Sequence, residues 1–280
     1  MTIMATPDKT EPQLSHLSRR DLFRLGGIGL ISTTLLAACS TQKGLISSDA
    51  IASIGTVPPT SALPAVEVTD VVLLRTAASV EYNAIDMYTT AIDAGYFSGD
   101  FASTADIAKR FRDDHIAHAA SINSRVVALG GAAYECANSR INSLAIKPAF
   151  DLITATDNPD VALDSVTLAH AIETVSAQMY QGFVGLFSDP VLRGETIHLG
   201  QNNVRHAVIL AQILNPGLSG VEPSTEPSTG VSKIVAVPSA FGGLAILRVP
   251  FGPPNADGVK STIIMETPSL NAMTYEFVSC

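Results

Sequence analysis

The sequence predicts a mainly α protein: an antiparallel four-helix bundle with one long crossover, followed by a short C-terminal β segment. Three observations carry this prediction. Four long stretches between residues 69 and 214 repeat apolar side chains at spacings of three and four, the period of a helix with one buried face. Short links join the first stretch to the second and the third to the fourth, whereas about 30 residues separate the second from the third. Short links make antiparallel neighbours, and one long link suits a crossover along the bundle. After a Pro/Ser/Thr-rich break the apolar period changes to two, the strand period.

The first helix is predicted over 69–95, with Leu74, Ala78, Glu81, Ile85, Tyr88 and Ile92 in its stripe. The second runs over 104–129, with Ser103 as N-cap, Asp106 three residues on, and Gly130-Gly131 past its end. Its stripe is Ala108, Phe111, His115, His118, Ile122, Val126 and Leu129. The third covers 160–187, with Leu168, Ile172, Val175, Met179, Phe183 and Leu186 on its apolar face. The fourth opens at Asp189-Pro190, an N-cap followed by proline at the first helical position, and runs to about 214 with Leu199, Asn203, His206, Leu210 and Ile213 in register. This places the bundle at 67–214. Residues 215–232, where Glu222-Pro-Ser-Thr recurs as Glu226-Pro-Ser-Thr, read as a linker. The β tail at 233–280 offers four short strands: Lys233–Val237, Leu244–Val249, Ser261–Met265 and Tyr275–Ser279.

Composition narrows the function. Apolar residues are 46% of the 280 and charged ones 15%, ample material for a core and too much for a disordered chain. The formal charge is −9, with no basic stripe, which excludes nucleic acid as a partner. Three cysteines are too few for a disulfide scaffold or a Cys-based zinc module. No Gly-x-Ser-x-Gly elbow or phosphate loop supports a hydrolase or a nucleotide enzyme.

The first 38 residues read as an export signal. Arg19-Arg20 precede Leu25 to Ala38, an apolar stretch of 14 residues diluted by Gly, Ser and Thr and too short to span ~30 Å of hydrocarbon. The paired arginines and the weakly hydrophobic, glycine-containing core resemble a twin-arginine signal. Leu36-Ala37-Ala38-Cys39 resembles a bacterial lipobox, which implies cleavage before Cys39 and lipidation of its thiol. Residues 40–66, rich in Ser, Thr, Pro and Gly, then read as a flexible tether. Removing residues 1–38 leaves a formal charge of −10, so the acyl chains and not electrostatics would hold the protein on the outer face of the cell membrane.

Polar residues interrupt the core stripes. Glu81 lies inside the first stripe, His115 and His118 hold consecutive positions of the second, and Asn203 and His206 do the same in the fourth. Glu173 follows Ile172 in the third. All lie near mid-helix, so an antiparallel bundle sets them at one level, where a carboxylate is costly unless paired or metal-bound.

This layout resembles the ferritin-like di-iron carboxylate proteins, in which two helices each supply one Glu and two supply Glu-x-x-His. Glu81-Tyr82 with Asp86-Met87-Tyr88, and His115-Ile-Ala-His118 with Leu129-Gly130-Gly131, are similar to bacterial exported ferritin-like domains of the desiccation-related type. The resemblance implies that Glu81 and Glu173 match the terminal carboxylates, and His118 and His206 the two histidines. The bridging glutamates are replaced by His115 and Asn203, which leaves two carboxylates where the family has four and argues against a dinuclear centre. Two readings stay open. In one, Glu81, His118, Glu173 and His206, with His115, hold a single divalent ion, iron or manganese before zinc, with Asn203 behind them. In the other no metal binds, Glu–His hydrogen bonds satisfy the core, and the protein is an envelope scaffold that binds a protein partner or a second copy through the bundle or the β tail. An enzymatic role under the first reading would be that of a metal-dependent oxidoreductase. His170, His198, Tyr82, Tyr88 and Tyr180 are weaker candidates, read as core, rim or surface. Outside the cytoplasm Cys136 and Cys280 can pair, tying the tail to the bundle; the alternative leaves both thiols free.

Overall fold

A computed structural model of the protein describes residues 67–215 and 246–280. The signal at 1–38, Cys39, the tether at 40–66, the linker from residue 216 on and the strand at Lys233–Val237 lie outside the described residues.

Helix α1 (Asp70–Asp93) starts where the Thr69 hydroxyl accepts from the Val72 N–H at 3.2 Å. A 3-10 turn at Gly99–Phe101 leads into α2 (Thr104–Ala128). Ser103 holds the N-cap position but makes no side-chain cap bond: its backbone is already helical (φ −66°, ψ −17°), not extended as a capping side chain needs. The far end is closed by Gly130 at φ 82°, with Gly130 N–H on Val127 O and Gly131 N–H on Val126 O, both at 2.9 Å. That is the Schellman arrangement, which needs a left-handed residue after the last turn. Leu129 sits at this end and is 46% exposed, outside the stripe expected for it.

The crossover is structured. It contains α3 (Ser139–Ile141), a π-turn over Asn142–Ile146 and α4 (Lys147–Ile153). Helix α5 (Val161–Val184) and α6 (Pro190–Leu214) follow, the latter capped by Asp189 Oδ1 on Val191 N–H at 2.8 Å. The most extensive packing is α1 on α2 and α5 on α6, and α1 against α5 joins the two pairs. Every residue from Asp164 to Tyr180 is buried, because α5 is covered by α6, α1, α4 and the sheet. Among the described residues no helix is long and apolar enough to cross a membrane.

The tail forms one antiparallel pair, β1 (Ile246–Phe251) with β2 (Ser261–Glu266), in the register Leu247↔Met265. Leu247, Val249, Phe251 and Met265 are buried in the pair. Asp164, at the start of α5, anchors this sheet: its carboxylate accepts from Gly252 N–H at 2.8 Å and Lys260 Nζ at 2.7 Å. The expected strand at Tyr275–Ser279 is absent and a turn takes its place, with Val278 N–H on Tyr275 O at 2.9 Å. The carbonyls of Tyr275 and Val278 accept from the Arg75 guanidinium, at 3.4 and 2.6 Å, and Cys280 is bonded to Cys136. Those attachments take the place of a ladder.

Candidate metal centre

Each element delivers its polar residue by helical periodicity. Glu81 projects from mid-α1, His115 and His118 from one face of α2 at i and i+3, Glu173 from α5, and Asn203 and His206 from one face of α6 at i and i+3. All six are buried; Glu81, His115, Glu173 and Asn203 are wholly inaccessible.

The side chains converge on the His115 ring. Its Nδ1 lies 2.5 Å from Glu81 Oε2, and its Nε2 lies 3.0 Å from Glu173 Oε1. His118 Nδ1 is 3.4 Å from Glu81 Oε2, and His206 Nδ1 is 3.2 Å from Glu173 Oε1. The potential donor atoms therefore fall into two triplets, Glu81–His115–His118 and His115–Glu173–His206, which share His115. The five residues meet, but not as one undivided cluster.

Around them stand groups that pattern alone did not assign. Tyr88 donates its hydroxyl to Glu173 Oε1 at 2.8 Å, and Tyr180 donates to Glu81 Oε1. Asp114 Oδ2 meets His206 Nε2 at 3.3 Å, while its other oxygen pairs with Arg110. Phe111 stacks on the His206 ring with centroids 3.8 Å apart. Asp114 was missed because Arg-Asp-Asp before His115 reads as a solvated helix face; its place beside a core histidine was the available signal. His170 is buried but belongs to neither triplet, His198 is exposed, and Tyr82 is half-buried. Gly200 makes room for Tyr180: a Cβ there would lie 2.9 Å from Tyr180 Cβ. Cys136 and Cys280 form a disulfide with Cα atoms 5.7 Å apart.

The charges are strongly coupled. Burial alone would lower the His115 pKa, but the flanking Glu173 and Glu81 carboxylates outweigh it and push the ring up to about 10. Burial alone would raise Glu173, yet His115 and then His206 hold it down at about 2. Glu81 is held well below the ordinary carboxylate range by His115 and His118, against its own burial. Burial and the neighbouring carboxylates raise Tyr88 and Tyr180, which therefore stay phenols and donate. Without an ion, His115 is an imidazolium between two carboxylates.

The donor chemistry suits a cation. Three imidazoles and two carboxylates match divalent first-row metals. Several polar atoms of the cluster have no hydrogen-bond partner although buried: Glu173 Oε2, and both Asn203 Oδ1 and Nδ2. Buried groups of this kind are normally satisfied, and a bound ion with its waters would satisfy them. The residues present fit a metal.

No curated protein matches the chain. The sequence profile of the ferritin-like domain matches residues 69–216, more than half of the chain, and with the helical bundle above this places the protein in the ferritin-like domain family.

Proposed function

We propose that this protein is an exported, lipid-anchored ferritin-like protein of the desiccation-related type that binds one divalent ion, iron or manganese, in its bundle core. The observation that supports metal binding is the buried set of Glu81, His115, His118, Glu173 and His206 with unpartnered polar atoms in its midst. These residues would hold the ion, and the ion would supply charge neutralisation and, as iron or manganese, a redox couple. The chain's own residues shield the site from bulk solvent, fix the imidazoles and keep two phenolic protons beside the carboxylates. Export and anchoring rest on Arg19-Arg20 and on Leu36-Ala37-Ala38-Cys39. Twin-arginine export carries folded protein, which would let the core be loaded before translocation.

A second reading is favoured by one observation. His115 already joins Glu81 and Glu173, so a proton can occupy the place of a metal in a purely structural core. The protein would then be an envelope scaffold. Elemental analysis of mature protein isolated from membranes separates the two: the metal reading predicts about one iron or manganese per chain, and no bound metal supports the scaffold. A Cys39→Ser protein should leave the membrane fraction or stay unprocessed. Normal cleavage with retained membrane association would contradict the lipid anchor.

A further inference from the structure

The two triplets are not equivalent, and the difference lies in what the far nitrogen of each imidazole touches. A histidine that binds a metal usually donates its other ring N–H to a carboxylate or carbonyl, which fixes its tautomer and orientation. In the triplet of His115, Glu173 and His206 both imidazoles have such a partner. His115 Nδ1 is on Glu81 Oε2 at 2.5 Å, and His206 Nε2 is on Asp114 Oδ2 at 3.3 Å. That leaves His115 Nε2 and His206 Nδ1 both facing Glu173 Oε1, at 3.0 and 3.2 Å.

In the other triplet His115 Nε2 has Glu173 as such a partner, but His118 has none. His118 Nε2 faces Asn202 Nδ2 at 3.2 Å, and the orientation of that amide is set by its oxygen, which accepts from Arg205 at 3.1 Å. A donor amide at Nε2 puts the His118 proton on Nδ1, the nitrogen that points at Glu81. Glu81 is also engaged on both oxygens, by Tyr180 on one and His115 on the other. Glu173 keeps Oε2 unpartnered, and Asn203, one turn from His206, has both amide atoms unpartnered. A neutral imidazole offers only one lone pair, so His115 can serve one triplet at a time.

We infer that the ion binds to His115 Nε2, Glu173 and His206 Nδ1, a two-imidazole, one-carboxylate set, with Glu81 and Asp114 acting as outer carboxylates that aim the two rings. His118 lies outside the coordination shell. This inference rests on the metal reading above and narrows it.

The test is titration of metal-free protein with Co(II), read by calorimetry and by the visible spectrum of the bound ion. Wild-type protein that takes up no Co(II) overturns the metal reading itself. Given wild-type binding, Glu173→Gln and His206→Asn are expected to weaken it by at least ~100-fold, and His118→Asn to leave both affinity and spectrum within about threefold of wild type. Asp114→Asn, at a partly exposed site, should weaken affinity ~10–100-fold with the stoichiometry unchanged. The inference is overturned if His118→Asn loses binding, whether or not His206→Asn also does, or if Asp114→Asn binds as wild type. The Asp114 variant keeps the test decisive should a core variant fail to fold.

Discussion

Helix α1 carries two buried polar regions, interleaved along its length, and they are finished differently. At Arg75, Thr76, Ser79 and Asn83 every buried polar atom has a partner. Arg75 donates to the carbonyls of Ala132, Thr274, Tyr275 and Val278 and lies over the Tyr134 ring. Asn138 Nδ2 donates to Ser79 Oγ at 3.0 Å and to Ala272 O at 2.8 Å, and Thr274 N–H donates to Thr76 Oγ1 at 2.8 Å. At Glu81 and its neighbours on α5 and α6, Glu173 Oε2 and both amide atoms of Asn203 are left over. A closed network, in which one guanidinium and its neutral neighbours are all paired, fastens chain segments together. An open set of carboxylates and imidazoles is finished only by something added. The first region is a clasp for the tail and the second a place for a ligand.

The comparison breaks most visibly at the clasp. Reducing the Cys136–Cys280 bond reopens a loop with a sequence separation of 144, which in the chain-entropy model is worth up to ~4–5 kcal/mol. Denaturant unfolding with and without reductant should show most of that loss, while Co(II) binding to the folded protein stays unchanged. Arg75→Ala strands four carbonyls and should cost ~3 kcal/mol in the same assay, again without effect on the metal stoichiometry. Unchanged stability in either experiment would mean that the tail is not held as described.

Nearer the centre, Gly200→Ala forces a methyl against Tyr180 and should destabilise by ~1–3 kcal/mol. Gly194→Ala on the same helix meets nothing within 4 Å and should stabilise by ~0.5–1 kcal/mol. Opposite signs on one helix separate close packing at the centre from helix propensity.

The pH dependence of the metal-free protein sharpens the contrast further. His115 keeps its proton up to about 10 in the folded state and loses it near 6.5 when unfolded. Its contribution is therefore complete below about pH 6.5 and declines as pH rises toward 10, by at most ~1.4 kcal/mol per unit. Glu173, held at about 2 against 4.5, contributes fully above about pH 4.5 and loses that contribution as pH falls toward 2. Stability from the centre should thus be flat between about pH 4.5 and 6.5 and fall on the alkaline side. Thermal unfolding across this range checks it, and a His115→Asn variant should lack the alkaline slope.

Much of the fold was legible in the sequence, because a buried helical face repeats and leaves its period in the letters. All four bundle helices end within a few residues of where the period and the Gly130 and Pro190 signals put them. The polar interruptions at Glu81, His115, His118, Asn203 and His206 were equally visible, since they sit where the period requires apolar groups, and Glu173 flanks its stripe beside Ile172. What was not legible depends on partners far away in the chain. Arg75, Thr76 and Ser79 give no sign of the tail that meets them, because their partners there lie 195 to 203 residues later. For the same reason Tyr275–Ser279 reads as a strand, although its carbonyls are taken by a helix. The division of the ligand set into two triplets, and the part of Asp114, depend on ring orientation, which residue spacing does not encode.

The central claim is that an ion takes the place of the His115 proton. Calorimetric titration of metal-free protein with Co(II) near neutral pH, in two buffers of different ionisation enthalpy, measures ions bound and protons released together. The account predicts about one ion per chain and the release of about one proton, with affinity rising as pH rises. No binding, or binding that releases no proton, would contradict it.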